Sequence, residues 1–143
     1  MTVHIGADHR GFALKEFLAK RLFAAMHDVH DHGALAFEPA DDYPDFARAV
    51  ALAVAADPSA RGMLICGSGA GMAIAANRIS GIRASIAHSP AEAHAARADE
   101  DANVLCLGAD HLDEHAAWEI VLMFLTAPAS HDERHVRRRK KLG

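Results

Sequence analysis

Long apolar runs are missing from this chain of 143 residues. None approaches the roughly 20 residues that a membrane span requires, and the N-terminus has no signal-peptide pattern. A cytoplasmic protein with no membrane partner is expected. Cysteine is nearly missing too. Cys66 and Cys106 are the only two, and each closes an apolar, strand-like run, which suits reduced thiols better than a disulfide. No excess of positive charge is present: the formal net charge is −4, so nucleic acid is not an expected partner. Internal repeats, linkers and low-complexity segments are also lacking, so residues 1–143 are expected to form one domain. Metal-ligand patterns are thin despite 11 histidines. His111 and His115 are spaced to share a helix face, and His27, His30 and His32 lie near a turn. Neither group has an evident further ligand of the right kind nearby, so solvated histidines and no metal are expected.

What is present is an alternation of strand and helix signals. Residues 3–7 read as a first strand ending in Asp8-His9. Phe12, Leu14, Phe17, Leu18, Leu22 and Phe23 recur at helical spacing, which predicts an amphipathic helix over 11–25. A poor second strand follows at 29–31, then a loop to Asp42-Tyr43-Pro44, which opens an alanine-rich helix over 44–55. Tyr43 is the only tyrosine; either its ring simply packs, or its hydroxyl is expected among the loops of the ligand edge. Strands are expected at 62–66, 82–87 and 102–107, with helices at 90–98 and 113–125 and a basic helix at 132–141. This order predicts an α/β fold: a Rossmann-like three-layer α/β/α sandwich with a five-stranded parallel sheet and a C-terminal basic helix. In such sheets ligands bind at the carboxyl ends of the strands.

The central stretch runs from Met63 to Arg78. Met63-Leu64-Ile65-Cys66 is a buried strand, Gly67-Ser68-Gly69-Ala70-Gly71 a glycine turn, and Met72 to Arg78 a helix. Three glycines in five residues let the backbone approach a ligand, and free N–H groups opening a helix favour an anion. Cys66 stands at the lip of this turn and Ser68 within it. Neither GxxxxGK with Ser or Thr nor GxGxxG is matched, which weighs against nucleotide binding. A glycine turn of this kind also serves as a plain connection in α/β proteins, and buried cysteines are commonly inert.

Separated pieces agree on a family. They are Gly6-Ala7-Asp8-His9 with Gly11 and Lys15, then Asp42-Tyr43-Pro44, then Ile65 to Met72 with Ala75-Ala76-Asn77. Gly81-Ile82-Arg83-Ala84, Asn103-Val104-Leu105, and Arg134-His135 with Arg138 complete the set. Nearly end to end, the chain resembles the ribose-5-phosphate isomerase B family, which includes the galactose-6-phosphate isomerase subunits. The resemblance implies aldose–ketose isomerisation of a sugar phosphate without metal or cofactor. It also implies a homodimer or tetramer with the site between subunits. Cys66 is implied as the base that moves a proton between C1 and C2, and Ser68 as a proton shuttle. The backbone of Gly67, Gly69, Ala70 and Gly71 would hold the oxyanion. Asp8, His9 and Tyr43 would contact substrate, and His9, Arg134 and Arg138 its phosphate. A second branch uses a glutamate at the position of Met72, so this chain resembles the cysteine branch.

Three departures from the family pattern follow in Arg97-Ala98-Asp99-Glu100-Asp101 and beyond. Asp99 takes the place of a ring-opening histidine, Glu100 that of a substrate-binding asparagine, and Asp110 that of a phosphate-binding arginine. A carboxylate offers no proton where an imidazolium would, and Glu100 loses a donor. Pentose-phosphate activity is expected to suffer unless His111 or another cation compensates. Three readings stay open. One is an isomerase shifted to a tetrose 4-phosphate or another sugar phosphate; the tetrose needs no ring opening because its terminal oxygen is esterified. The second is an ordinary ribose-5-phosphate isomerase in which Asp99 or a nearby histidine opens the ring. The third is a non-catalytic sugar-phosphate-binding protein or inactive partner subunit.

Overall fold

A computed structural model describes residues 1–143. Five strands, β1 (Thr2–Ala7), β2 (Asp28–Asp31), β3 (Arg61–Cys66), β4 (Ala84–Ile86) and β5 (Val104–Gly108), form one parallel sheet in the order β2-β1-β3-β5-β4. The helices are α1 (Phe12–Ala24), α2 (Tyr43–Ala56), α3 (Ala70–Ala76), α4 (Pro90–Glu100), α5 (Glu114–Thr126) and α6 (Glu133–Lys140). Parallel crossovers are right-handed, so the direction of each step across the sheet decides which face its helix covers. The steps β1 to β2 and β4 to β5 run one way and put α1 and α4 on one face, joined by α5. The steps β2 to β3 and β3 to β4 run the other way and put α2 and α3 opposite. The chain is therefore the three-layer α/β/α sandwich that its alternation predicts, with the basic helix α6 at its C-terminus. No helix is long and apolar enough to cross a membrane.

Side-chain alternation divides the core between the two faces. Val3, Ile5, Met63, Ile65, Leu105 and Leu107 pack with α1, α4 and α5; Leu64, Cys66, Val104 and Cys106 pack with α2 and α3. A central parallel strand is buried on both faces, which explains the unbroken apolar runs at β3 and β5. The β3–β5 register places Gly62 beside Val104 and Cys66 beside Gly108. Both cysteines are free.

Most element bounds differ from the sequence reading by one or two residues. The central helix starts at Ala70 rather than Met72 and stops at Ala76, because left-handed Gly69 is its N-cap. The β4 strand covers only 84–86 of the expected 82–87 because side chains take over its hydrogen bonds. Asn77 bonds both the N–H and the carbonyl of Ala84, and Asn103 bonds the Arg83 N–H and the Gly81 carbonyl. The weak second strand is a genuine edge strand, paired with β1 from Thr2–Asp28 to Ile5–Asp31.

Candidate active site

The strand order reverses between β1 and β3, and the carboxyl ends of these two strands meet there. Such a switch point opens a crevice for ligands. At the end of β3, Cys66 is 5% exposed, and its sulfur accepts the Gly69 N–H at 3.1 Å. Gly69 has φ +80°, a conformation that costs other residues about 1–2 kcal/mol, and the turn depends on it. Ser68 is exposed, and its hydroxyl oxygen accepts the Ala70 N–H at 3.3 Å. The N–H groups of Gly67, Ser68, Gly71 and Met72 find no acceptor within the chain. The Tyr43 ring packs against Gly71 from the start of α2.

At the end of β1, buried Asp8 shapes the next turn. Its Oδ1 accepts the N–H groups of Arg10 and Gly11 at 3.0 and 3.1 Å. His9 follows, fixed by a residue that the sequence reading missed. Asp41 Oδ1 lies 2.9 Å from the His9 backbone N and 2.8 Å from its Nδ1, while the buried Asp41 Oδ2 has no partner. That contact orients the imidazole and leaves Nε2 for a ligand. Only adjacency to Asp42-Tyr43-Pro44 could have flagged Asp41. Arg10 was missed as well; it ion-pairs with Asp110.

The remaining candidates lie elsewhere. Asp99 and Glu100 end α4, just before β5 begins, at the amino edge of the sheet. Arg97 fixes that corner through Asp101 Oδ1 at 2.7 Å and the Ala102 carbonyl at 2.6 Å. Helix α6, which carries Arg134 and Arg138, docks on the same end of α4. Its His135 Nδ1 is 3.7 Å from Asp99 Oδ1. Arg139 donates to the carbonyls of Ala98, Asp99 and Ser130. Arg139 is thus the clasp that docks α6. Cys66 and Glu100 are thus separated by the length of β5, four residue steps or roughly 13 Å. One chain gathers Asp8, His9, Tyr43, Cys66, Ser68 and the glycine turn at one edge. Asp99, Glu100, Arg134 and Arg138 lie at the other. A cleft of about 510 Å³ borders Glu100, Arg83 and Ser85, and another of about 530 Å³ borders Arg137 and Lys140; neither touches Cys66.

The histidines also regroup. His111 precedes α5 and packs edge-on to His88, so it does not share a helix face with His115, which faces Glu119. His30 and His32 join His4 rather than His27, with His4 Nδ1 2.9 Å from His32 Nε2. No group of three or more His, Cys, Asp or Glu side chains is placed to hold a metal ion. Burial, with Cys66 beside it, pushes the Cys106 thiol far up, which disfavours its thiolate.

The Ribose/Galactose Isomerase family model matches residues 3–142. Ribose-5-phosphate isomerase B of Mycobacterium tuberculosis is 39% identical over 138 residues, 96% of this chain and 85% of the relative. Among solved structures, ribose-5-phosphate isomerase B of Clostridium thermocellum superposes with a TM-score of 0.96 at 39% identity, covering 100% of this chain and 95% of that one. The Mycoplasma genitalium enzyme, solved with bound ribulose-5-phosphate, superposes with a TM-score of 0.94 at 37% identity, covering 99% and 93%.

Proposed function

This chain belongs to the Ribose/Galactose Isomerase family, and from that premise we propose that it interconverts an aldose phosphate and its ketose through an enediolate, with Cys66 as the base. Sugar phosphate isomerisation follows from the family. One observation carries it: a cysteine sulfur at the switch point is followed at once by four N–H groups without acceptors. A C–H beside a carbonyl is weakly acidic, so its removal needs both a base and a place for the enolate charge. The Cys66 thiolate takes the proton from one of C1 and C2 and returns it to the other. The N–H groups of the turn, in Gly67 to Gly71, receive the developing oxyanion, and each such donor is worth about 3 kcal/mol to the transition state. Ser68 carries protons between the two sugar oxygens. Asp8 Oδ2, His9 Nε2 and the Tyr43 hydroxyl bind the rest of the sugar. No cofactor takes part.

The site is completed by a second copy of the chain. Asp99, Glu100, Arg134 and Arg138 sit at the far edge from Cys66, and only a partner subunit can bring that edge over the turn. Exposed Leu35, Phe37, Ile74 and Leu142 are apolar side chains that such a contact can cover.

The substrate is a tetrose 4-phosphate, because Asp99 supplies no imidazole for ring opening. A second reading has its own observation. His135 stands beside Asp99 and is itself mostly buried, so the pair can open a cyclic pentose phosphate. Turnover of erythrose 4-phosphate and ribose 5-phosphate, followed by proton NMR with Cys66→Ala as control, separates the two. Rapid turnover of the tetrose alone is expected. Rapid turnover of ribose 5-phosphate that fails in His135→Ala establishes the second reading. Undiminished turnover in Cys66→Ala overturns the assignment of the base.

A further inference from the structure

The turn after β1 carries a cation that the mechanism above does not use. Arg10 leaves β1 next to His9, and its guanidinium lies directly on Gly67, the residue after Cys66. A Cβ at position 67 would collide with Cζ, Nε and Nη1 of Arg10. Glycine at 67 therefore makes room for this arginine. Nη2 is held by the carboxylate of Asp110, which follows β5, and the Asp110 N–H is bonded in turn to the Gly67 carbonyl at 3.1 Å. Three segments, after β1, β3 and β5, thus converge on one guanidinium.

Depth within the crevice decides what this group meets. Cys66 is 5% exposed and marks the reacting carbons at the bottom. The Arg10 and Asp110 side chains are 54% and 43% exposed and stand at the mouth. A substrate whose carbonyl end reaches the sulfur leaves its far end at that mouth. For a sugar phosphate, the far end is the phosphate. Arginine stays charged at all working pH values and presents several donors in a plane suited to phosphate oxygens. Asp110 engages only Nη2. An exposed ion pair of this kind is weak, so a dianion can displace the carboxylate at little cost.

Resting on the isomerase reading, we propose that Arg10 binds the substrate phosphate and that Asp110 is its resting counter-ion, displaced when substrate enters. Arg10 is then a specificity-determining residue: it selects phosphorylated sugars. Asp110 makes the chain discriminate against weakly charged ligands, because only a strongly anionic group outcompetes it.

The test pairs steady-state kinetics with calorimetric titration of inorganic phosphate into the full chain. Arg10→Ala should raise KM for the sugar phosphate and weaken phosphate binding by tenfold or more, while kcat changes less than threefold. Arg10→Lys should restore part of the loss. Asp110→Asn should tighten phosphate binding severalfold, and less so in the Arg10→Ala background. Circular dichroism melts of each variant establish folding. An active wild type with KM and phosphate affinity unmoved in folded Arg10→Ala overturns this inference alone. Weaker phosphate binding in Asp110→Asn overturns the counter-ion role of Asp110. A wild type that neither isomerises sugar phosphates nor binds phosphate overturns both this inference and the isomerase reading.

Discussion

His9 illustrates how single contacts set up this site. Its ring would rotate freely were it not held by Asp41, whose Oδ1 meets both the backbone N and Nδ1. Removing a buried acceptor leaves its donors unsatisfied, at a cost of about 1–3 kcal/mol. Asp41→Ala should therefore lower the unfolding free energy by that amount, read as a lower urea midpoint, and raise KM through a loosened His9, with Asp41→Asn milder in both measurements. The sequence motif marked His9 and the Asp42-Tyr43-Pro44 turn that carries Asp41 to it. The pairing itself joins residues 32 apart, and no local pattern reports such a contact.

Two elements, the glycine turn and the β1–β2 edge, carry testable energetics. Gly69 combines φ +80° with a close approach to the Leu107 backbone, where an added Cβ would lie 3.1 Å away. Gly69→Ala should cost at least the roughly 1–2 kcal/mol of a left-handed residue, read as a lower urea midpoint, and should misplace the N–H that reaches Cys66. At the β1–β2 edge, burial, with His32 and His30 adding to it, holds the His4 imidazole below its ordinary value; burial and then His30 do the same for His32. Unfolding returns both to the ordinary value of about 6.5. The unfolded chain then binds more protons, so this contribution to stability is full above about pH 6.5 and is lost as pH falls through the depressed folded values. Urea midpoints should fall from about pH 7.5 to about pH 5.5, and His4→Val should flatten that slope. Strand β2 was readable only weakly because four residues, three of them charged or histidine, form an exposed edge. The longer apolar runs of β3 and β5 were plain because both of their faces are buried.

For the whole molecule, the separation of Cys66 from Arg138 makes a prediction that no single-chain site can share. Cys66→Ala and Arg138→Ala should each be inactive or nearly so alone. If each site takes its base from one subunit and its phosphate clamp from the other, a mixed dimer holds one site with both intact. Statistical exchange should then return about a quarter of wild-type activity on mixing, and sedimentation should find an oligomer. No recovery in mixtures shown to exchange would place the whole site in one chain.

Periodicity and turn chemistry in the sequence determined the order of elements, the parallel sheet and the glycine turn after Cys66. These follow from local rules, since apolar spacing and glycine conformations are written in neighbouring residues. Tertiary structure alone decided the strand order that puts β5 beside β3, the grip of Asp41 on His9 and of Asp110 on Arg10, and the clasp of Arg139 on α4. It also decided that the candidate residues fall on two opposite edges. Each of these depends on which way the chain steps across the sheet, and that choice is made by the packing of helices onto both faces together.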